Sequence, residues 1–240
     1  MELKKIIKQV YYIPNSTNIG VVKDGANSVI LIDTGIDTDH SAFSDRILDQ
    51  YCYCNITNYG SGGCCPNNKT EDTSAEDDDG HGTHCAGIAA GNHSNYKGVA
   101  PEAGIISIKV CNSTGTCSDG DLIAGIDWCV NNASTYNISV ISISLGGGLY
   151  SVYCDNDDPL TAAAINSAVS QNITVAVATG NDGNKTHISS PACIQNATPV
   201  GAVYDANGGP IAWSACTDSA RVVDNITCFT NRGNILDLLA

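Results

Sequence analysis

Apolar and polar positions alternate in blocks along this chain. Near the start, VYYIP, NIGVV and VILID are apolar runs of strand length, and KDGANS between the last two is rich in turn formers, so the segment reads as short strands joined by a Gly/Asn turn. From about residue 105, uninterrupted runs rich in β-branched residues (IISIKV at 105–110, VISISL at 140–145, ITVAVAT at 173–179) are separated by stretches of helical character near 119–131 and 160–170. A strand that is apolar throughout has both faces covered, and strands alternating with helices imply crossover connections. The expected class is therefore α/β, three-layer αβα, with a mainly parallel sheet. Ser118 and Asp121 stand at capping-box spacing ahead of LIAGIDWCV and mark a helix start. The stretch from Ser41 to Glu76 is Cys-, Asn-, Gly- and Tyr-rich without periodicity, and it is expected to be a long, stapled, irregular loop.

An open parallel sheet collects its chemistry beyond the carboxyl ends of the strands. Asp33 ends VILID, Gly146 and Gly147 follow VISISL, and Asn181 follows ITVAVAT. His81, in DDDGHGTHCAG (77–87), opens a small-residue run of its own. One rim thus gathers a carboxylate, an imidazole and an amide. A zinc reading of His81 with His84 is weak, because the pair lacks the i, i+4 spacing and intervening Glu of a helical zinc motif. Acid–base catalysis uses the same residue types more economically: a carboxylate to fix the imidazole, a histidine to move a proton, an amide for a developing oxyanion.

Composition narrows the partners. Eleven Lys and Arg against a net charge of −14 argue against nucleic acid, and no apolar run is long enough for a membrane span. Twelve Cys suggest disulfides, and eleven Asn-x-Ser/Thr sequons (Asn15, Asn55, Asn68, Asn92, Asn112, Asn132, Asn137, Asn172, Asn184, Asn196, Asn225) point the same way, towards a secreted glycoprotein. The opening MELKKIIKQVYYIP, interrupted by Lys8 and Gln9, does not read as a signal peptide. Near neighbours suggest pairing of Cys52 or Cys54 with Cys64 or Cys65, Cys111 with Cys117, Cys154 with Cys193 and Cys216 with Cys228, leaving Cys85 and Cys129 as buried thiols. A four-cysteine zinc site over 52–65 is the rival reading. No cofactor is called for, although Asp155-Asn156-Asp157-Asp158 offers oxygen ligands for a structural calcium.

LIDTGID (31–37), DGHGTHCAG (79–87), SISLGG (142–147) and TGNDG (179–183) together resemble the successive motifs of the subtilisin-like serine proteases. The resemblance implies a subtilisin-like fold, incomplete at the C-terminus, over 29–240, and an endopeptidase acting on extended peptides or proteins. It implies that Asp33 orients His81, that His81 is the general base and then the acid, and that Asn181 donates to the oxyanion. Ser144, Leu145, Gly146 and Gly147, with Gly180, would bind the substrate backbone. His84 would be structural and Cys85 a buried thiol. The family's serine sits in a Gly-Thr-Ser-Met-Ala type motif, and no such string occurs here, so the chain is expected to stop short of it and to be inactive alone. A noncatalytic peptide-binding relative is the alternative. Residues 1–36 also resemble the opening strands of the metallo-β-lactamase superfamily, which suggests a β extension over 1–28 joined near DTGID. The His-x-His-x-Asp-His metal motif of that superfamily is absent, which leaves a metallohydrolase the weakest reading.

Overall fold

The computed structural model describes residues 28–56 and 62–240, with the backbone of three short strands at Lys4–Ile7 (β1), Val10–Tyr12 (β2) and Val22–Lys23 (β3). VILID lies in β4 (Ser28–Asp33), which is buried along its whole length. Its side chains alternate between two covered faces. Val29 and Leu31 pack with Ala86, Ala90 and Ile105 on one side. Ile30 and Ile32 pack with Ile106, Ile108, Leu122, Ile126 and Ile165 on the other. Helix α1 (His81–Ala90) supplies the first cover, while α2 (Asp119–Tyr136) and α3 (Pro159–Ser170) supply the second. At about 1.5–3 kcal/mol for each fully buried large apolar side chain, these two layers are what select the register of the central strand.

The remaining strands are β5 (Ile47–Tyr53), β6 (Glu71–Asp72), β7 (Gly104–Lys109), β8 (Ile138–Ile143), β9 (Gly147–Tyr150), β10 (Thr174–Ala178), β11 (Ile188–Ser190), β12 (Thr198–Gly201), β13 (Ile211–Ala212), β14 (Thr217–Asp218) and β15 (Leu238–Leu239). The main sheet runs β15-β12-β10-β8-β4-β7-β5-β6. Every pairing in it is parallel except that of β5 with β6. The expected three-layer αβα architecture is therefore present. Strands β1 to β3 form an antiparallel sheet of their own. Among the described residues, no helix is long and apolar enough to cross a membrane.

One expectation fails within 41–76. A seven-residue strand, β5, runs through the supposed irregular loop and pairs in parallel with β7. It stands near the end of the sheet and most of its residues are only half-buried, so Asp49 and Gln50 are tolerated and the apolar signature of a central strand is broken. The stapling is as expected, with Cys52 joined to Cys65 and Cys54 to Cys64. These two disulfides use the four sulfurs that the zinc reading required. The other three pairs also form between the expected neighbours, and Cys85 and Cys129 are the free thiols.

Helix α2 starts where the capping box indicates, with Ser118 Oγ accepting from the Asp121 amide at 3.2 Å. Asp121 does not close the box onto the Ser118 backbone. It accepts instead from Ser118 Oγ and from both the amide and the side chain of Asn55, fastening the cysteine-rich segment to the helix start. At the other end the helix runs five residues past the expected Asn131, until Asn137 caps it in the left-handed region at φ 49°.

Candidate active site

Asp33 is the last residue of β4, and its side chain is only 4% exposed. His81 is the first residue of α1, and its Nδ1 lies 2.7 Å from Asp33 Oδ1. A carboxylate can only accept, so Nδ1 carries the proton and Nε2 is the atom left to take one up. The approach needs Gly82: a Cβ there would stand 2.1 Å from the Gly35 carbonyl oxygen and 3.1 Å from Asp33 Cβ. The hydrogen bond to Asp33, and secondarily the contact with Cys85, holds the imidazole pKa well above its usual range, because a proton on the ring sits between two acceptors.

The helix start has an uncommon cap. Its N-cap residue is Gly80, which has no side chain to offer, and Asp77 takes over the task. Asp77 accepts from the amides of Asp79, Gly80 and Thr83, from the Thr83 hydroxyl, and from Thr34 Oγ1 at 2.8 Å. Thr34 Oγ1 in turn accepts from the Gly82 amide at 2.9 Å. One carboxylate thus ties the turn after Asp33 to the turn before His81. Burial opposes its ionisation, but the Thr83 hydroxyl and the three amides outweigh that and bring its pKa down to about 2.

From the β7 side, Lys109 lies in register with Asp33 and is 1% exposed. Its ammonium donates to the Thr34 and Cys111 carbonyls at 2.6 and 2.8 Å and to Asp78 Oδ1 at 2.6 Å. Three acceptors match the three N–H bonds of the ammonium, which is what allows a lysine to be buried at all.

The second histidine and the thiol depart from expectation. His84 is exposed and Cys85 is half-buried, not packed away. The buried face of α1 is Gly82, Ala86 and Ala90, repeating every four residues, and positions 84 and 85 fall off it. Cys85 Sγ lies 3.9 Å from His81 Nδ1. Asp33, His81 and Cys85 offer ligand atoms within 4.8 Å of one another, but Nδ1 and Oδ1 are already spent on each other.

Asn181 projects from the turn after β10 and is exposed. Gly180 ahead of it has φ +101°, and a Cβ there would meet Ser189 Oγ at 2.4 Å and Asn231 Nδ2 at 2.5 Å. Asn231 is fully buried and holds this turn from every side. Its Oδ1 accepts from the amides of Asp182 and Asn184, each at 3.0 Å. Its Nδ2 donates to Asp182 Oδ2 and Ser189 Oγ, its backbone amide donates to the Gly180 carbonyl, and its own carbonyl accepts from Thr179 Oγ1. Nothing in CFTNRG marks Asn231 as different from any loop asparagine, and the sequence reading missed it, as it missed Lys109.

A cavity of about 140 Å³ has Cys85, Ser142, Ser144, Gly180, Asn181 and Ala240 in its wall, while Asp33 and His81 do not line it. Leu145, Gly146 and Gly147 lead away from it. Of the four residues 144–147, only Gly147 is in a strand, β9, which pairs antiparallel with β11 through Gly147 and Ser190. In the Asp155–Asp158 loop, Asp155 accepts from the Gln195 amide and Asp158 from Ser190 Oγ.

Known proteins bear on this geometry. The family model described as "Subtilase family" matches residues 25–240. Serine protease AprX of Bacillus subtilis is 33% identical over 86% of this chain and 42% of its own length. A cuticle-degrading serine protease of Arthrobotrys oligospora is 31% identical over 99% of this chain and 48% of its own. The chain thus spans less than half the length of these curated relatives. Among solved structures, sphericase superposes with a TM-score of 0.64 at 24% identity, over 86% of this chain and 59% of that one. A cold-adapted subtilisin-like serine proteinase gives 0.63 at 23%, over 94% and 68%, and both likenesses bear on the fold. The metallo-β-lactamase resemblance of residues 1–36 is not borne out, since the family match begins at residue 25 and takes in DTGID whole. With a match over 216 residues and the expected motifs assembled on one rim, the chain belongs to the subtilase family.

Proposed function

We propose that this chain forms most of the groove of an extracellular, glycosylated serine endopeptidase, and that the hydroxyl it activates lies outside residues 1–240. In this reading Asp33 fixes the ring of His81 and stabilises the imidazolium. His81 Nε2 takes the proton of the attacking hydroxyl and returns it to the leaving amine, and Asn181 donates its amide to the oxyanion. The observation that carries the reading is the 2.7 Å contact between Asp33 and His81, brought from elements 48 residues apart to the rim where Asn181 also stands. An extended peptide or protein substrate would run along Ser144–Gly147 and Gly180, and the open space around the Gly147 Cα, with nothing within 4 Å of a Cβ there, supports a close backbone approach. Five disulfides and eleven sequons support an exported protein. Residues 1–28 are taken as an extension ahead of the peptidase domain, although the family match takes in the last four of them.

A noncatalytic peptide-binding role is favoured by one observation, the missing Gly-Thr-Ser-Met-Ala type string. A fluorophosphonate probe separates the two. The 240-residue polypeptide is expected to remain unlabelled and to leave peptides uncut, whereas a longer product of the same gene is labelled, and His81→Ala in it abolishes labelling. Labelling of the 240-residue chain, or a longer product that binds peptide and never labels, overturns the reading.

A further inference from the structure

Two of the eleven sequons occupy equivalent places in the fold. Asn137 caps α2 one residue ahead of β8, and Asn172 follows α3 two residues ahead of β10. Strands β8 and β10 are direct neighbours, paired through Val140 and Thr174. Parallel strands about 4.8 Å apart therefore put both asparagines at one patch, the amino end of the sheet. The rim with Asp33 and Asn181 lies at the carboxyl end. Both asparagines are exposed, with φ of 49° and 62°.

A purely structural account explains only half of the Asn137 sequon, while the Asn172 sequon is carried by its equivalent place and exposure. Asparagine is favoured in the left-handed region, so its presence after a helix needs no glycan. The hydroxyl two residues later is another matter. Ser139 in β8 is 6% exposed, and its Oγ has no hydrogen-bond partner. A buried, unpaired hydroxyl is unfavourable, and alanine or valine would pack there without that penalty. A glycosylation acceptor, by contrast, requires it.

We propose that Asn137 and Asn172 carry N-linked oligosaccharides that cover the amino end of the sheet, opposite the rim with Asp33 and Asn181. The donor class is a polyprenyl-diphosphate-linked oligosaccharide. A bond forms between the asparagine Nδ2 and the sugar C1, the bond from C1 to the diphosphate oxygen breaks, the diphosphate departs with its electron pair, and Nδ2 loses one proton. Asn196 stands likewise ahead of β12, but Pro199 follows Thr198 directly and confines it to extended backbone, so it is not included. Asn112 is the internal contrast: it is 6% exposed, and its Oδ1 accepts from the Thr114 amide and hydroxyl and from the Thr116 amide.

The proposal rests on the export reading above, and its test is arranged to fail separately. The chain is led through the secretory route of a eukaryotic cell line by a cleavable leader, whatever its natural compartment. The secreted protein is then treated with glycan-releasing amidase in ¹⁸O water, which marks each glycosylated Asn as a labelled Asp, and the peptides are mapped. The marks are expected at Asn137 and Asn172 and not at Asn112. Ser139→Ala and Thr174→Val are each expected to remove one glycan mass, the first with no loss of Tm. An unmarked Asn137 or Asn172, or a marked Asn112, overturns the proposal. The export reading fails on a different observation, reduced cysteines in the protein from its natural source.

Discussion

On the Asp33–His81 side of the rim, position is held by ions: Asp77 gathers the two turns, and Lys109 grips Thr34 and Asp78 from beneath. On the Asn181 side the same task falls to the neutral amide of Asn231, which fills its bonds with the backbone and side chains of residues 179–189. The difference follows from what each side must carry. In the proposed reading, an ionised carboxylate beside an imidazole whose charge changes is steadied by fixed charges nearby, whereas a turn that presents an amide needs only direction. One consequence is that acid should loosen the first side and leave the second alone.

The largest effect is expected from the neutral side. Asn231→Leu removes four side-chain hydrogen bonds, to Asp182 twice, Asn184 and Ser189, at about 0.5–1.5 kcal/mol each. Urea unfolding should show that loss unchanged between pH 5 and 8, and a loss that varies with pH would break the contrast. Lys109→Met comes next, at about 2 kcal/mol, since it orphans two carbonyls while the partly exposed Asp78 regains water. Its sharper readout is the His81 ring resonance, expected to shift in Lys109→Met and to be unmoved in Asn231→Leu.

Asp77→Ala should cost about 1 kcal/mol, the ordinary range for a lost helix cap. Here the sign of the pH dependence is fixed. The folded pKa is lowered, so the stabilisation is complete above the unfolded value of about 3.9 and is lost as pH falls towards about 2. Wild type and Asp77→Ala should therefore converge in acid. The plainest change in titration belongs to Asp33→Asn. The His81 pKa is raised in the folded chain, so its contribution is complete below about 6.5 and fades as pH rises through the folded value. In Asp33→Asn the ring should titrate back towards about 6.5 by NMR, and an unmoved pKa would show that Asp33 does not hold it.

Much of this is legible in the chain. Asp33, His81 and Asn181 end a strand, start a helix and follow a strand, and such junctions are visible as changes of period. The disulfide partners are close in sequence, four of the five within 13 residues, so proximity found the groups, while which of Cys52 and Cys54 takes Cys65 was decided only by the fold. Strand β5 was not legible because a half-covered strand near the sheet edge need not be apolar. The exposure of His84 was missed because a motif gives neighbours in sequence and says nothing of which helical face is covered.

What the sequence by itself determined is the alternation of apolar strands and helices, the capping of α2 and the candidates on the rim, all of them local properties of a few consecutive residues. Only the tertiary structure decided which polar groups hold those candidates in place. Lys109 reaches Thr34 across 75 positions and Asn231 reaches Asp182 across 49. Burial makes those bonds matter, and burial is a property of the packed layers that no short stretch of chain possesses.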